Sequence, residues 1–161
     1  MMNPEIAPGL HREMLADNRI VVFKPKAIYS SVLISWMDEA LRLIKNWPEN
    51  VPYLVMHDLS SRGVALVYGF SNNHDLFNLG VTEDGRQKMQ EVLRARPALR
   101  GRLAIVLSSR LSGRFVNRQA QQPLEDSPQI ESRIFLDREA GLAWLQEGLQ
   151  KPSAQANLPQ P

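Results

Sequence analysis

The fold is decided by a run of residues that is apolar almost throughout, Val51-Pro52-Tyr53-Leu54-Val55-Met56-His57-Asp58-Leu59. Such a run lacks the alternation of a half-exposed strand and is typical of a strand covered on both faces. Leu103–Leu107 is a second run of this kind and predicts another buried strand. Buried strands that are separated by helices are characteristic of α/β sheets.

Two short strands and a helix precede the first run. Leu10–Leu15 and Arg19–Phe23 have strand-like patterns, and Asp17-Asn18 between them predicts a turn. Strands joined by so short a turn must pair antiparallel. Apolar residues then recur at helical spacing from Val32 to Ile44, and Ser30-Ser31 in front of them is the predicted N-cap.

The second half of the chain continues the alternation of helix and strand. A helix is predicted from Thr82 until Pro97 stops it, and another is predicted after Ser108-Ser109. Arg133–Leu136 is the last predicted strand, and Asp137 is placed to cap a final helix that contains Trp144 and Leu145.

This order of elements predicts an α/β fold with a single open mixed sheet of about five strands, covered by about four helices. The sheet begins with the N-terminal antiparallel hairpin and continues with parallel strands. We expect one domain over residues 10–149, because no linker interrupts it. Residues 1–9 and 150–161 are rich in proline and are predicted to be irregular tails.

Composition restricts the chemistry. The chain has 161 residues and no cysteine, which excludes disulfides, thiolate metal sites and a catalytic thiol. The three histidines have no recognised metal-ligand spacing and no glycine-rich nucleotide motif occurs, so neither a metal nor another cofactor is predicted. No stretch approaches the roughly 20 apolar residues of a membrane span. The first residues also lack the pattern of a signal peptide, and we expect a soluble, cytoplasmic protein.

Positive charge is concentrated in one segment. Between Arg86 and Arg118 the chain carries nine basic residues and one acidic residue, whereas the remainder is net acidic. A segment of this kind can form a basic patch that attracts phosphates or anionic lipid. The alternative is that acidic residues from elsewhere neutralise it in the folded protein.

A repeated tripeptide predicts an anion-binding site. Ser60-Ser61-Arg62 and Ser108-Ser109-Arg110 each follow an apolar strand, and Arg114 lies one helical turn after Arg110. Ligands of open α/β sheets collect at the carboxyl ends of the strands, where helices begin with free amides. Hydroxyl groups and guanidinium groups at that edge would suit a phosphate or a carboxylate. The alternative is that these serines only cap helices.

Two segments resemble the SpoIIAA-like branch of the STAS superfamily, and the order of elements over residues 10–149 agrees with them. They are Arg102-Leu103-Ala104-Ile105-Val106-Leu107 and Arg133-Ile134-Phe135-Leu136-Asp137-Arg138-Glu139-Ala140-Gly141-Leu142-Ala143-Trp144-Leu145. The resemblance implies a STAS-like fold, which is similar to that of Sec14-type lipid carriers. STAS antagonists of anti-sigma factors carry a phosphorylated serine or threonine after the central strand. Asp58-Leu59-Ser60-Ser61 resembles the entry to that loop, but Val67-Tyr68-Gly69 stands where the phosphoacceptor would fall.

The resemblance implies a non-enzymatic STAS-like binding or regulatory domain that acts through a protein partner or a bound ligand, without the serine switch. A homodimer is one such partnership, and nucleic acid is not expected. The alternative is a small carrier or sensor of an anionic or apolar, lipid-like ligand; Val64–Phe70 would then be a pocket lining rather than core or a self-association surface. A remoter alternative is a hydrolase that uses Ser60, His57 and Asp75, although no Gly-x-Ser-x-Gly elbow is present.

Overall fold

In the part of the chain that the structure describes, six strands form one mixed sheet, and helices cover both of its faces. The computed structural model describes residues 5–27, 29–64, 83–108 and 128–150, with the backbone alone for residues 30 and 83–86. In chain order its elements are β1 (Glu5–Ala7), β2 (Leu10–Leu15), β3 (Ile20–Pro25), α1 (Ser30–Asn46), β4 (Tyr53–Leu59), α2 (Glu83–Ala95), β5 (Gly101–Leu107), β6 (Ile130–Phe135) and α3 (Arg138–Gln150). Residues 62–64 are also helical.

The strands lie in the sheet in the order in which they occur along the chain. β1, β2 and β3 pair antiparallel, and β3, β4, β5 and β6 pair parallel. The predicted turn between β2 and β3 is present, and Ala16, Asp17 and Asn18 all adopt positive φ. Aspartate and asparagine tolerate this left-handed conformation better than most residues. The predicted α/β class and the change from antiparallel to parallel pairing are therefore confirmed.

The sheet has one strand more than the five predicted. Residues 5–7, which the sequence assigns to an irregular lead-in, form β1 and pair with β2. Gly9 has φ +83° in the turn between the two strands, and its amide donates to the Glu5 carboxylate at 2.8 Å. A strand of three residues next to a Pro-Gly turn has too few residues for a detectable periodicity, which is why the pattern missed it.

Helices α1 and α2 pack on one face of the sheet. The core there is built around Trp36 and Ile44 of α1, Val92 and Leu93 of α2, and the side chains of Val55 and Leu107. The predicted cap at Ser30-Ser31 is wrong, because Tyr29 is the N-cap residue and makes no side-chain cap hydrogen bond. The carbonyl of Tyr29 accepts the amide of Leu33 instead, and the helix begins at Ser30, ahead of the pattern that starts at Val32.

Helix α3 covers the opposite face of the sheet, over β4 and β5. Asp137 caps it as predicted, because its two carboxylate oxygens each accept an amide of the first turn at 3.2 Å. Two glycines of α3 allow close approach to the sheet. A Cβ atom at Gly141 would lie 3.0 Å from Met56 Cε, and one at Gly148 would lie 2.9 Å from Leu54 Cδ2.

Trp144 anchors α3 on this face. Its side chain is 5% exposed and packs in the cluster that contains Leu54, Met56 and Val106. The guanidinium groups of Arg102 and Arg133 lie 4.9 Å and 5.0 Å from the centre of its ring. Cations over an indole face add electrostatic attraction to the burial of the ring, so this one side chain joins α3 to both β5 and β6.

We predict that Trp144→Ala lowers the free energy of unfolding by about 3–5 kcal/mol, because it leaves a cavity between helix and sheet. Leu136→Ala is the control, since that side chain is 40% exposed and should change stability by less than about 1 kcal/mol. Chemical denaturation of both variants measures the difference. Equal losses in the two variants would contradict a core role for Trp144.

Candidate functional site

The parallel pairing of β4 with β5 brings two of the predicted site residues to one edge of the sheet. The two strands pair without a shift from Tyr53 beside Gly101 to Leu59 beside Leu107. Ser60 and Ser108 therefore follow two neighbouring strand ends. Ser61 and Arg62 continue from Ser60, and the Arg62 side chain is exposed. The other members of the predicted anion site lie outside the described residues; they are Ser109, Arg110 and Arg114.

The hydroxyl groups of Ser60 and Ser61 are both used within the fold. Ser60 Oγ donates to Asp58 Oδ1 at 2.5 Å, and the Ser60 amide donates to the same oxygen at 3.1 Å. Ser61 Oγ donates to the carbonyl oxygen of Pro25, at the end of β3, at 2.9 Å. These bonds hold the loop after β4 against the neighbouring strand end. They also make Asp58 the centre of the site, a residue that the site prediction did not include.

Asp58 is fully buried, and two cations flank its second carboxylate oxygen. Oδ2 lies 3.8 Å from Lys24 Nζ and 3.6 Å from Arg138 Nε, and it has no hydrogen-bond partner among the described residues. Both separations exceed the usual length of a hydrogen bond between nitrogen and oxygen. A buried carboxylate oxygen without a donor is costly and is uncommon in folded proteins.

A second carboxylate completes this group of charges. Arg138, in the first turn of α3, donates to Glu13 Oε2 of β2 at 2.8 Å. Glu13 pairs with Val22 in the β2–β3 ladder, so it lies on the face of the sheet that α3 covers. We call Glu13, Lys24, Asp58, Ser60 and Arg138 the Asp58 cluster. The formal charges of its two cations and two carboxylates sum to zero. The Lys24 and Arg138 side chains remain 50% and 39% exposed.

His57 precedes Asp58 in β4, but it lies on the opposite face of the sheet. Its ring meets those of Trp36 and Phe23 edge to face, with centres 4.7 Å and 6.0 Å away. Successive side chains of a strand point to opposite faces. The Ser60 hydroxyl group is hydrogen-bonded to Asp58 and therefore lies on the other side of β4 from the His57 ring. This arrangement does not favour the catalytic triad considered from the sequence, whose third member, Asp75, lies outside the described residues.

Part of the basic segment is engaged in internal contacts. Arg96 donates to the carbonyl oxygens of Ile44 and Trp47, at 2.5 Å and 2.6 Å, and so closes the C-terminal end of α1. Arg100 donates to the carbonyl of Pro97, and Arg102 donates to the carbonyl of Trp144 at 2.6 Å. Arg96 and Arg102 therefore join elements of the fold, whereas the contacts of Arg100 are local. Arg102 also has two acidic neighbours, Glu131 Oε2 at 3.9 Å and Glu147 Oε2 at 3.8 Å. The segment from Arg110 to Arg118 lies outside the described residues.

The part of the chain that the structure describes offers neither a metal site nor a membrane-spanning helix. No three side chains of histidine, aspartate or glutamate in that part of the chain converge as a metal site. No helix there is long and apolar enough to cross a bilayer.

Comparison with known proteins adds no family assignment, because no protein-family model, curated protein or solved structure matches this chain. The resemblance to STAS domains therefore depends on the residues quoted above and on the order of the elements. It stays a prediction.

We predict that Arg96→Gln lowers the free energy of unfolding by about 1–3 kcal/mol, because it removes charged hydrogen bonds to two carbonyls at the end of α1. Arg94→Gln is the matched control. Arg94 is exposed in the last turn of α2, so its replacement should change the free energy of unfolding by about 0.5 kcal/mol or less. Urea denaturation distinguishes the two. A loss for Arg94→Gln as large as that for Arg96→Gln would contradict the proposed role.

The burial of His57 predicts a specific loss of stability in mild acid. Burial lowers the pKa of His57 from 6.5 to about 3, so the unfolded chain binds a proton there between these values and the folded protein does not. The free energy of unfolding should therefore fall as the pH drops below about 6.5, by at most about 1.4 kcal/mol per pH unit. Replacement His57→Leu should flatten this dependence between about pH 6.5 and pH 5.

Glu39→Gln is the control for that experiment. The hydrogen bond from Arg42 holds the pKa of Glu39 below 4.5, so its titration contributes only at lower pH. Denaturation curves measured across the pH range compare the three proteins. An unchanged slope in His57→Leu would show that another group binds the proton.

Proposed function

We propose that this chain is a non-enzymatic, STAS-like binding or regulatory domain, which acts through a protein partner or a bound ligand and has no phosphorylatable serine switch. The proposal is carried by one observation at the carboxyl edge of β4, the buried Asp58 carboxylate, for whose Oδ2 the described part of the chain supplies no hydrogen-bond donor. This edge is where open α/β sheets bind their ligands.

The Asp58 cluster has the features of a recognition site. A donor group on the bound molecule could bind to Oδ2, which would remove the cost of an unsatisfied buried oxygen. Lys24 and Arg138 face Asp58, yet much of each side chain is in contact with solvent. They can therefore attract an anionic group of the same bound molecule. The favoured occupant is an anion that also carries a hydrogen-bond donor, presented by a small molecule or by a protein surface.

The surroundings of the cluster support binding more than catalysis. The Ser60 hydroxyl donates to a carboxylate that is itself held between two cations, and the imidazole of His57 lies across the sheet. General-base activation of a hydroxyl nucleophile requires a base within hydrogen-bond reach that is free to take the proton. Asp58 meets the distance, but its Oδ1 already accepts two hydrogen bonds from Ser60, and Lys24 and Arg138 flank its Oδ2.

Inorganic phosphate is the probe for the anionic part of this proposal. We expect phosphate to raise the melting temperature of the protein and the increase to shrink with added salt, because screening weakens the attraction. The double replacement Lys24→Gln/Arg138→Gln should abolish the increase. Lys45→Gln/Arg94→Gln removes two exposed charges elsewhere and should retain it. An increase that survives the first replacement, or none in the unmodified protein, would contradict anion binding at this cluster.

A second double replacement, Arg110→Gln/Arg114→Gln, tests the remainder of the anion site predicted from the sequence. If these arginines bind the anion, phosphate should no longer stabilise the variant, while its stability without phosphate stays nearly unchanged. If they pair with acidic residues instead, the melting temperature falls without phosphate present.

Native mass spectrometry of gently purified protein distinguishes the regulatory domain from the carrier. A retained small molecule, lost on Lys24→Gln/Arg138→Gln, would favour a carrier or sensor. A stable complex with one protein, lost in the same variant, would favour a regulatory domain. If the spectrum shows only the mass of the chain itself, with neither a small molecule nor a protein bound, the result contradicts both forms of the proposal.

A further inference from the structure

The two edges of the sheet differ in what they offer to another chain. β1 forms one edge with three residues and an irregular register, whereas β6 forms the other edge with six residues. Within the described ranges, no strand pairs with the outer side of β6. A regular edge strand presents unpaired amides and carbonyls that can pair with a further strand. β6 is therefore the edge at which the sheet could be extended.

The sequence of β6 is complementary to itself. Ile130-Glu131-Ser132-Arg133-Ile134 has isoleucine at both ends and opposite charges on either side of a central serine. When two copies of this strand run antiparallel about a twofold axis at Ser132, Glu131 of each copy stands opposite Arg133 of the other. Ile130 then stands opposite Ile134. Every position thus meets a residue that suits it, in the register that twofold symmetry requires.

We propose that β6 is a self-association surface, at which a second copy of this chain extends the sheet across a twofold axis centred on Ser132. The inference is independent of the function proposed for the Asp58 cluster. That cluster lies at the carboxyl edge near β3 and β4, whereas the outer side of β6 is the end of the sheet furthest from β1.

The side chains of β6 are arranged for such a contact. Glu131 and Arg133 point to the same face and already form an ion pair at 2.9 Å, with half of each side chain exposed. Arg133 is also held over the ring of Trp144, which limits its freedom before association. In the paired state each charge would have an opposite charge directly across the strands, which stabilises antiparallel pairs, whereas like charges destabilise them. The half-buried isoleucines on the other face would gain apolar contact.

Charge reversal provides a test with its own rescue. The unmodified protein should show a molecular mass that rises toward that of a dimer with concentration, measured by light scattering after gel filtration. Glu131→Arg alone and Arg133→Glu alone should each weaken association by about tenfold, since each creates two pairs of like charges. An equimolar mixture of the two variants should form a heterodimer, because every facing pair then has opposite charges. Lys45→Glu, on an exposed position of α1, should leave association unchanged.

A single cysteine tests the register. The chain contains no cysteine, so Ser132→Cys introduces the only thiol and places it on the proposed axis. Directly opposed residues of an antiparallel pair lie within the Cα separation of a disulfide. Mild oxidation should therefore link two copies of Ser132→Cys quickly. Asn50→Cys, in an exposed turn, should link far more slowly under the same conditions.

The outcomes separate the alternatives, provided that circular dichroism confirms the fold of each variant. A protein that stays monomeric at its highest soluble concentration overturns the proposal. So does a dimer that both charge reversals leave intact, because its interface then lies elsewhere. Failure of the two reversed variants to associate in the mixture, with each folded, would overturn the antiparallel register. None of these results would alter the phosphate response of the Asp58 cluster.

Discussion

Strand β4 pairs in parallel with a neighbour on each side, and helices cover both of its faces. The rest of the structure depends on this double burial. Apolar side chains at alternate positions serve the two separate cores, which is why the strand reads as a continuous apolar run. The two polar residues within it, the partly buried His57 and the fully buried Asp58, consequently lie on opposite sides. Among aromatic rings His57 is favoured in its neutral form, whereas the buried carboxylate of Asp58 has charged groups beside it.

Most of the fold could be predicted from the sequence because buried elements leave a pattern of apolar residues. Leu54 and Ile105 belong to runs whose apolar character identifies the strands, and the carboxyl group of Asp137 marks the start of α3. The features that were missed lack such a record. β1 is too short for a pattern, and Tyr29 begins α1 without a capping side chain, so neither is visible in residue types.

The sequence predicts which strand ends are neighbours, but it does not predict the Asp58 cluster. Parallel register makes Ser60 and Ser108 neighbours, and this follows from the two apolar runs alone. The Asp58 cluster could not be derived in that way, because Glu13 and Arg138 are 125 positions apart and meet only through the antiparallel hairpin and the last helix. The one signal available was an aspartate inside an otherwise apolar strand. The net charge of the segment from Arg86 to Arg118 also could not show how its arginines are used, because Arg96 and Arg102 donate to uncharged backbone carbonyls.

The glycines of α3 give the two faces of the sheet different tolerances to change. On the face of α1, large side chains such as Trp36 and Ile44 fill the interval between helix and sheet, so a change of volume can be shared among several neighbours. At Gly141 and Gly148 the helix backbone itself lies against side chains of the sheet, so even one added methyl group would clash with them. These positions are two helical turns apart and lie along the same line of contact. Positions between α1 and the sheet should therefore accept a wider range of side chains during evolution than the two glycine positions of α3.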